Sequence, residues 1–262
     1  MKQIFDQFDP RQRESRGSHG RVVEGIGQAI VAGQPPPGDL LPRDEELAEQ
    51  FGVSRTVLRE AMKTLAAKGM VSPKARVGTR IRPRHEWNMF DAQVLRWHLD
   101  GEPSDSFYEQ LFEMRLAFEP HAAALAARSA SAADIARIQG CVSAMRAADS
   151  EADFSLADLE FHKAIFDAAG NAFFFSVVSL VSAALLSLLR RSSPEPKPNQ
   201  QTKICNDHQR IADAIAARDE SAAKAAMQIV IEVGWARVFG QDADSAAPLR
   251  ATHLNRPRTG PV

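Results

Sequence analysis

The segment LPRDEELAEQFGVSRTVLREAMKTLAAKGMVSPKARVGTRI, residues 41–81, decides the fold of the N-terminal part of the chain. Pro42 suits the first turn of a helix, where a missing N–H costs nothing, and Gly52 suits the left-handed residue that closes one. Ser54 then predicts the cap of a second helix, which Gly69 ends. The inward face of this second helix is apolar at helical spacing, at Leu58, Ala61, Met62 and Leu65. The segment therefore predicts a helix, a tight turn, a second helix and a two-stranded hairpin.

The outward face of the second predicted helix is basic. Arg55, Arg59 and Lys63 follow one another at intervals of four residues and so share one face, with Thr56 beside them. Residues 52–84 contain nine Lys or Arg and one acidic residue. A solvated basic surface on a small helical domain is the simpler interpretation of such a charge run. Because the caps, the turn, the apolar stripe and a basic hairpin coincide here, we predict a winged helix-turn-helix that binds double-stranded DNA.

Several motifs in this segment resemble a known family. This segment resembles the winged helix-turn-helix of GntR-type bacterial transcription regulators. The motifs that carry the resemblance are Leu41-Pro42, Glu46-Leu47-Ala48, Gly52-Val53-Ser54-Arg55, Leu58-Arg59-Glu60-Ala61 and Gly78-Thr79. The resemblance implies that Arg55 and Arg59 contact guanines or phosphates and that the wing tip enters the minor groove. Some members carry a DNA-contacting arginine where this chain has Glu45, which leaves the preferred base sequence open. The DNA-contacting residues that we expect are Arg43, Ser54, Arg55, Thr56, Arg59, Lys63, Arg76, Gly78 and Thr79.

Charge and composition divide the chain into two parts. Residues 1–86 carry a net charge of +4 and the remainder −5, which together give the overall −1. A basic head on an acidic body is typical of a DNA-binding module joined to a domain with another task. Cys141 and Cys205 are far apart and have no CxxC partner, so no disulfide framework is expected and a cytoplasmic location is favoured. The N-terminus lacks the apolar core of a signal peptide.

The pattern after residue 104 is helical throughout. We predict six helices, at 105–128, 131–148, 151–169, 171–190, 200–217 and 219–239. Residues 172–189 contain no charge, which is the lower limit for a membrane span. Four serines interrupt this run and its neighbours are amphipathic, so a helix buried by its neighbours is the better interpretation. Before these helices, Trp87, Phe90, Val94, Leu95 and Trp97 predict an apolar connecting helix.

Polar residues interrupt the apolar stripes of the predicted bundle. Asp158 and His162 lie one turn apart among Phe154, Phe161 and Ile165. His208 shares a stripe with Ile211, Ala212 and Ile215, and Arg115 shares one with Leu111, Phe118 and Ala122. Each taken alone is more often a core histidine, an ordinary helix pair, or an arginine paired with a nearby acid such as Glu119. Since burying a charge is costly unless it meets a partner or ligand, the four together favour an internal pocket.

A second resemblance covers this bundle. EMRLAFEPHAAALAA, DLEFHKAIFDAAGN and DHQRIADAIAARDESAAKAAM are similar to the FCD domain of the FadR subfamily of GntR regulators. The resemblance implies an all-helical, dimerising bundle that binds a small carboxylate effector, often through a divalent metal on one Asp and three His. Asp158, His162 and His208 match three ligands, whereas the fourth position is Val230. Zn²⁺ or Ni²⁺ held weakly by three ligands, or direct hydrogen bonding of a hydroxylated effector without metal, both remain open. Arg115 would bind the carboxylate in either case, and Asn171 is a further candidate for effector contact.

The predicted architecture is mainly α, with an N-terminal winged helix-turn-helix and a C-terminal all-α FCD bundle. We expect a flexible N-terminus at 1–17, a DNA-binding domain at 18–84, a connecting helix or linker at 85–103, an effector-binding and dimerisation domain at 104–240, and a disordered tail at 241–262. The connector resembles that of sugar-acid regulators, which points to a galactonate- or aldonate-like effector or another small carboxylate.

The predicted function is that of a homodimeric repressor on a palindromic operator, released by its effector. An enzyme is the competing class, but the chain has no HExxH, nucleophile elbow or Gly-rich phosphate loop, so we expect no catalysis. A DNA binder with a vestigial pocket is a third interpretation, and the missing fourth ligand is its best support.

Overall fold

The computed structural model describes residues 17–74, 77–101, 103–174, 176–178, 181–182, 185 and 198–239. The described residues divide into two compact units, one ending at Pro103 and one beginning at Ser104. The predicted fold class is confirmed: both units are built from helices, and the strands described form one antiparallel pair.

The first unit contains three helices followed by a hairpin and a fourth helix. Its elements are α1 (Ser18–Val31), α2 (Asp44–Phe51), α3 (Arg55–Ala67), β1 (Val71–Lys74), β2 (Gly78–Ile81) and α4 (Ala92–Asp100). The hairpin pairs Val71 with Ile81 and Lys74 with Gly78. The core is apolar and includes the four residues of the predicted stripe on α3 together with Val22, Ile26, Ile30, Leu47, Met70 and Ile81.

The turn and caps of the helix-turn-helix follow the predicted chemistry. Gly52 adopts a left-handed conformation, with φ of 62°, at the end of α2. The Ser54 side chain accepts a hydrogen bond from the Val57 N–H, which satisfies one of the free donors at the start of α3. Local sequence alone is thus sufficient to turn the chain between α2 and α3.

The helix α4 packs against the other helices of the first unit. The Trp97 ring lies over Gly27 of α1, where even a Cβ atom would come within 2.3 Å of the ring. Arg96 pairs with Glu24 of α1 at 2.6 Å, and Lys68, just after α3, pairs with Asp91 at 2.7 Å. The predicted connecting helix is therefore present at Ala92–Asp100 and packs on α1, but Trp87 and Phe90 precede it, and Phe90 is exposed.

The second unit is a helical bundle. Its helices are α5 (Asp105–Ser129), α6 (Ala132–Arg146), α7 (Glu151–Ala168), α8 (Pro198–Ala216) and α9 (Glu220–Val238). Side chains of Ser104, Ser131, Ser150 and Asp219 cap four of them. Of the helix predicted at 171–190, the described part is helical at Phe174, 176–178, 181–182 and Leu185, and the rest lies outside the described residues.

The helices of the second unit pack around one apolar core. The long α5 contacts α7, α8 and α9, while α6 contacts α7 and α8. Large apolar side chains such as Phe112, Phe161, Ile165, Ile211 and Trp235 form the core. No helix within the described ranges has the length and hydropathy needed to span a bilayer. Both cysteines are free thiols.

Candidate effector and metal site

Three of the predicted ligands meet inside the bundle. Asp158 and His162 project from α7 and His208 projects from α8, and one ligand atom from each lies within 4.8 Å of the others. Asp158 Oδ1 is 2.9 Å from His208 Nε2 and 3.8 Å from His162 Nε2. The two histidines are almost fully buried, at 1% and 2% exposure. The stripes on two separate helices thus converge on one cluster, which we call the Asp-His-His cluster.

The ring of His208 has a fixed orientation. Its Nδ1 lies 2.8 Å from the carbonyl oxygen of Ile204, one turn earlier on the same helix. Because a carbonyl only accepts, Nδ1 carries the hydrogen, and in the neutral ring the Nε2 atom offers its lone pair. That lone pair faces the Asp158 carboxylate, which is also an acceptor. A proton or a cation between the two atoms would satisfy both.

The ring of His162 is oriented by a residue from another helix. Its Nδ1 lies 2.6 Å from Oε2 of Glu119 on α5, and its Nε2 faces Asp158. His162 Nε2 and His208 Nε2 are among the described buried nitrogens that make no aligned hydrogen bond, whereas His162 Nδ1 has its 2.6 Å contact with Glu119, which is short but bent. Buried nitrogens without an aligned partner are uncommon, and a water molecule, an ion or a ligand can satisfy them.

Glu119 also pairs with Arg115, the predicted carboxylate anchor. Arg115 Nε lies 2.5 Å and Nη2 3.4 Å from the two carboxylate oxygens, and both side chains are buried. Burial raises the pKa of Glu119, but the charges of Arg115 and then His162 outweigh it and hold that pKa at about 2. The ordinary role of Arg115 as partner of a nearby acid is therefore present in this structure.

Asp158 is held ionised in the same way. Burial raises its pKa, but the contact with His208 and the charges of His208, His162 and Arg115 bring it well below its usual range. The cluster thus offers a carboxylate and two imidazole nitrogens, a donor set that suits Zn²⁺ or Ni²⁺. Together with the unaligned Nε2 atoms, this donor set fits a divalent metal.

The fourth ligand position remains apolar. Val230 lies buried in the core on α9, and its side chain offers no donor. His98, whose Nδ1 contacts the carbonyl of Val94 in the first unit, and His121, which is exposed, do not replace it. Within the described ranges the donor set consists of three residues, so water or effector oxygens would have to complete a metal shell.

One charged residue near the cluster was not predicted. Arg237 lies on α9 and is accessible to solvent, yet enough protein surrounds its guanidinium that burial lowers its pKa. The charge of Asp158 raises this pKa and that of Arg115 lowers it. Among the described residues, none forms an ion pair with Arg237. The sequence could have indicated Arg237, because it lies seven residues after Val230 and therefore on the same face of the helix.

Asn171 has a local role. Its side-chain oxygen accepts a hydrogen bond from the Phe173 N–H at 3.0 Å, in the turn after α7. This contact caps the turn, and the role of Asn171 in effector binding stays a prediction.

The predicted DNA-contacting residues differ in their exposure and in the ion pairs that they form. Arg55, Thr56, Arg59 and Lys63 are exposed on α3, and Arg43 is exposed at the start of α2. Arg55 lies 3.3 Å from Glu45, and Lys63 lies 2.8 Å from Glu60. Thr79 is buried at 7% exposure, which argues against its side chain as a DNA contact. Gly78 has φ of 109° at the hairpin turn, and Arg76 lies outside the described residues.

Comparison with known proteins agrees with this arrangement. Residues 19–81 match the bacterial regulatory proteins of the gntR family, and residues 110–233 match the FCD domain. The chain is 35% identical over 214 residues to the HTH-type transcriptional regulator YieP of Escherichia coli K12, covering 80% of this chain and 90% of that protein. It is 30% identical over 212 residues to the galactonate operon transcriptional repressor of the same strain, covering 80% and 92%.

A solved structure supports the fold. The Listeria monocytogenes regulator Lar, which controls expression of the agr system, superposes with a TM-score of 0.59 at 19% identity, covering 86% of this chain and 97% of Lar. The sequence matches place an FCD domain behind a gntR-type DNA-binding domain in one chain. The protein therefore belongs to the GntR family of DNA-binding transcription regulators, in the group with a C-terminal FCD domain.

Proposed function

We propose that this regulator is a homodimeric repressor that leaves a palindromic operator when a small hydroxylated carboxylate, such as a sugar acid, binds its FCD bundle. The observation that carries the proposal is the buried Asp-His-His cluster, in which His162 also contacts the buried Arg115–Glu119 pair. Buried groups of this kind are costly to maintain without a ligand. The similarity to the galactonate operon repressor favours a sugar acid.

The cluster would bind the effector through its oxygens. A Zn²⁺ or Ni²⁺ ion held by Asp158, His162 and His208 would supply a positive charge for carboxylate and hydroxyl oxygens. Without metal, the same side chains would hydrogen-bond the hydroxyls directly. In both versions the effector meets a charged, hydrogen-bonding wall at the centre of the bundle.

The carboxylate of the effector needs a cationic partner. Among the described residues Arg115 hydrogen-bonds Glu119 through Nε and Nη2, and a guanidinium has further N–H groups that an incoming carboxylate can use. Arg237 is the cation near the cluster without an ion pair among the described residues. We therefore infer that Arg115 and Arg237 bind the carboxylate together, since a planar guanidinium matches that group.

The DNA-binding face would be the exposed side of α3. Arg55 and Arg59 would contact guanines or phosphates, with Thr56 and Lys63 beside them, and Arg43 would contact the backbone. The Ser54 hydroxyl accepts its capping bond and keeps its hydrogen for a phosphate oxygen. The wing at Gly78 would approach the minor groove. A protein with this role would act in the cytoplasm, as a regulator and not as an enzyme.

The proposal is tested by DNA binding in the presence of candidate effectors. The promoter region of the gene and its neighbours is titrated with protein, with and without D-galactonate, other aldonates and dicarboxylates, each with and without EDTA. An effector should weaken DNA binding by about 5- to 150-fold. Lower expression from the target promoter after deletion of the gene would contradict repression.

A DNA binder with a vestigial pocket is the alternative that one observation favours. Val230 is buried and apolar at the expected fourth ligand position. If no carboxylate and no metal raises the melting temperature of the protein, this alternative gains support over the effector-responsive repressor.

A further inference from the structure

The carboxylate of Glu119 lies between two residues of the proposed site. It contacts Arg115 through Oε1 at 2.5 Å and His162 Nδ1 through Oε2 at 2.6 Å. All three side chains are buried, and Glu119 is 0% exposed. Arg115 and Glu119 are one turn apart on α5, whereas His162 comes from α7, so the contact joins two helices.

We propose that Glu119 is a positioning residue that fixes the Nδ1–H tautomer of His162 and thereby turns the Nε2 lone pair towards Asp158. This inference rests on the proposed site at Asp158, His162 and His208, and it assigns the residue that prepares one of its ligands.

Proton placement follows from the atoms in contact. A carboxylate oxygen 2.6 Å from an imidazole nitrogen requires a hydrogen on that nitrogen, because two lone pairs would repel at this distance. The neutral ring then has no hydrogen on Nε2. At 3.8 Å from Asp158, Nε2 is too far for a hydrogen bond, so its lone pair is left for a ligand.

His208 shows why His162 needs such a partner. The Nδ1–H of His208 meets a carbonyl four residues earlier on its own helix, so local structure fixes its tautomer. His162 has its Nδ1 contact with the carboxylate from α5 instead. Partners of this kind orient metal-binding histidines and raise their basicity.

Arg115 determines how a substitution at Glu119 would act. In Glu119→Gln, one carboxylate oxygen becomes an NH₂ group, which can face either Arg115 or His162. The amide oxygen should stay on the cationic Arg115, because an NH₂ facing a guanidinium leaves both sets of donors unsatisfied. The NH₂ then faces His162 Nδ1, which must become an acceptor, and the hydrogen moves to Nε2.

The experiment is ¹⁵N NMR of the histidine rings in metal-free full-length protein at mildly alkaline pH, followed by titration with Zn²⁺ alone. Wild-type His162 should carry its hydrogen on Nδ1. Glu119→Gln should move it to Nε2 and weaken Zn²⁺ binding by about 10- to 100-fold.

The matched control is Glu160→Gln. Glu160 lies on α7, the helix of His162, and pairs at the surface with Lys163 at 2.6 Å and Arg137 at 3.7 Å. This variant should keep both the wild-type tautomer and the wild-type Zn²⁺ affinity.

A double variant provides the rescue. In Arg115→Met combined with Glu119→Gln, no cation holds the amide oxygen, so it can turn to His162 and restore the Nδ1–H tautomer. A folded Glu119→Gln protein with unchanged tautomer, or a wild-type protein with the hydrogen on Nε2, would overturn the inference. The wild-type measurement decides the question even if Glu119→Gln does not fold.

Failure of this inference and failure of the proposed site can be told apart. If wild-type protein does not bind Zn²⁺ but the tautomer of His162 still changes in Glu119→Gln, the role of Glu119 stands and the metal version of the site fails. If Zn²⁺ binds equally well to wild type and to Glu119→Gln, the site stands and the role of Glu119 fails.

Discussion

Two arginine–glutamate pairs, one on the DNA-binding head and one inside the bundle, show how differently the two units use charge. Arg55 and Glu45 lie 3.3 Å apart with side chains 73% and 61% exposed. Arg115 and Glu119 lie 2.5 Å apart with side chains 3% and 1% exposed. Water solvates the first pair well, whereas each member of the second depends on its partner.

The difference in exposure indicates which kind of ligand each unit can bind. Exposed cations on α3 can exchange a surface acid for a DNA phosphate or base at little cost, and salt screens the exchange. Charges inside the bundle have already lost their water, so a ligand that meets them gains strong and directional contacts. The DNA-binding head therefore suits a large external polyanion such as DNA, and the bundle suits a small carboxylate enclosed by the helices.

Breaking the buried pair should give the largest effect. Arg115→Met leaves the Glu119 carboxylate buried without its main partner, and the protein should lose about 3–5 kcal/mol of stability. Arg55→Met, which breaks the exposed pair, should change stability by less than about 1 kcal/mol. Denaturant unfolding of both variants measures the comparison, and equal losses would remove the distinction between the two pairs.

Metal addition should produce the next largest effect, and only through the bundle. Zn²⁺ at about 100 times its dissociation constant should stabilise the wild-type protein by about 2.7 kcal/mol. EDTA should reverse this stabilisation, and Asp158→Asn should abolish it. Asp153→Asn serves as the control, because Asp153 lies on the same helix but accepts from Ser150 at 2.6 Å. Stabilisation that survives Asp158→Asn would place the metal elsewhere.

Loss of a recognition cation should weaken DNA binding without affecting the bundle. Arg59→Ala should lower operator affinity by about 1–3 kcal/mol while leaving Zn²⁺ affinity unchanged. Arg210→Ala is the matched control, since Arg210 is exposed on α8 and pairs with Asp207 at 2.7 Å. Fluorescence anisotropy with a labelled operator measures both variants. An equal loss in the two would show that α3 has no special role.

The smallest effect concerns Glu45, the acid beside the recognition helix. Glu45→Gln removes a negative charge 3.3 Å from Arg55, so non-specific DNA should bind more tightly, by up to about 1 kcal/mol. Because both side chains are exposed, added salt should reduce the difference. Titrations at two salt concentrations test this, and weaker binding of Glu45→Gln would indicate that Glu45 contacts DNA favourably.

Much of the fold follows from local sequence. The caps at Ser54 and Asp219, the left-handed Gly52 and the apolar stripe on α3 act within a few residues, so they could be predicted and were confirmed. The helices of the bundle begin and end within about two residues of their predicted bounds wherever both are described. The connector was expected to be apolar, but its attachment to α1 through Trp97 depends on a glycine seventy residues earlier.

The candidate metal ligands Asp158, His162 and His208 could also be predicted from the sequence, because each is a polar residue within an otherwise apolar helical stripe. Periodicity says that a side chain faces inward, but it does not say which side chain of another helix it meets. Helix packing alone brings Glu119 against His162, joins α7 to α8 at the Asp-His-His cluster, and brings Arg237 within electrostatic reach of Asp158. The sequence by itself thus determined a DNA-binding head and the chemistry of a buried site. Only the tertiary structure decided how that chemistry is paired, because pairing between helices depends on their packing and not on the spacing within each one.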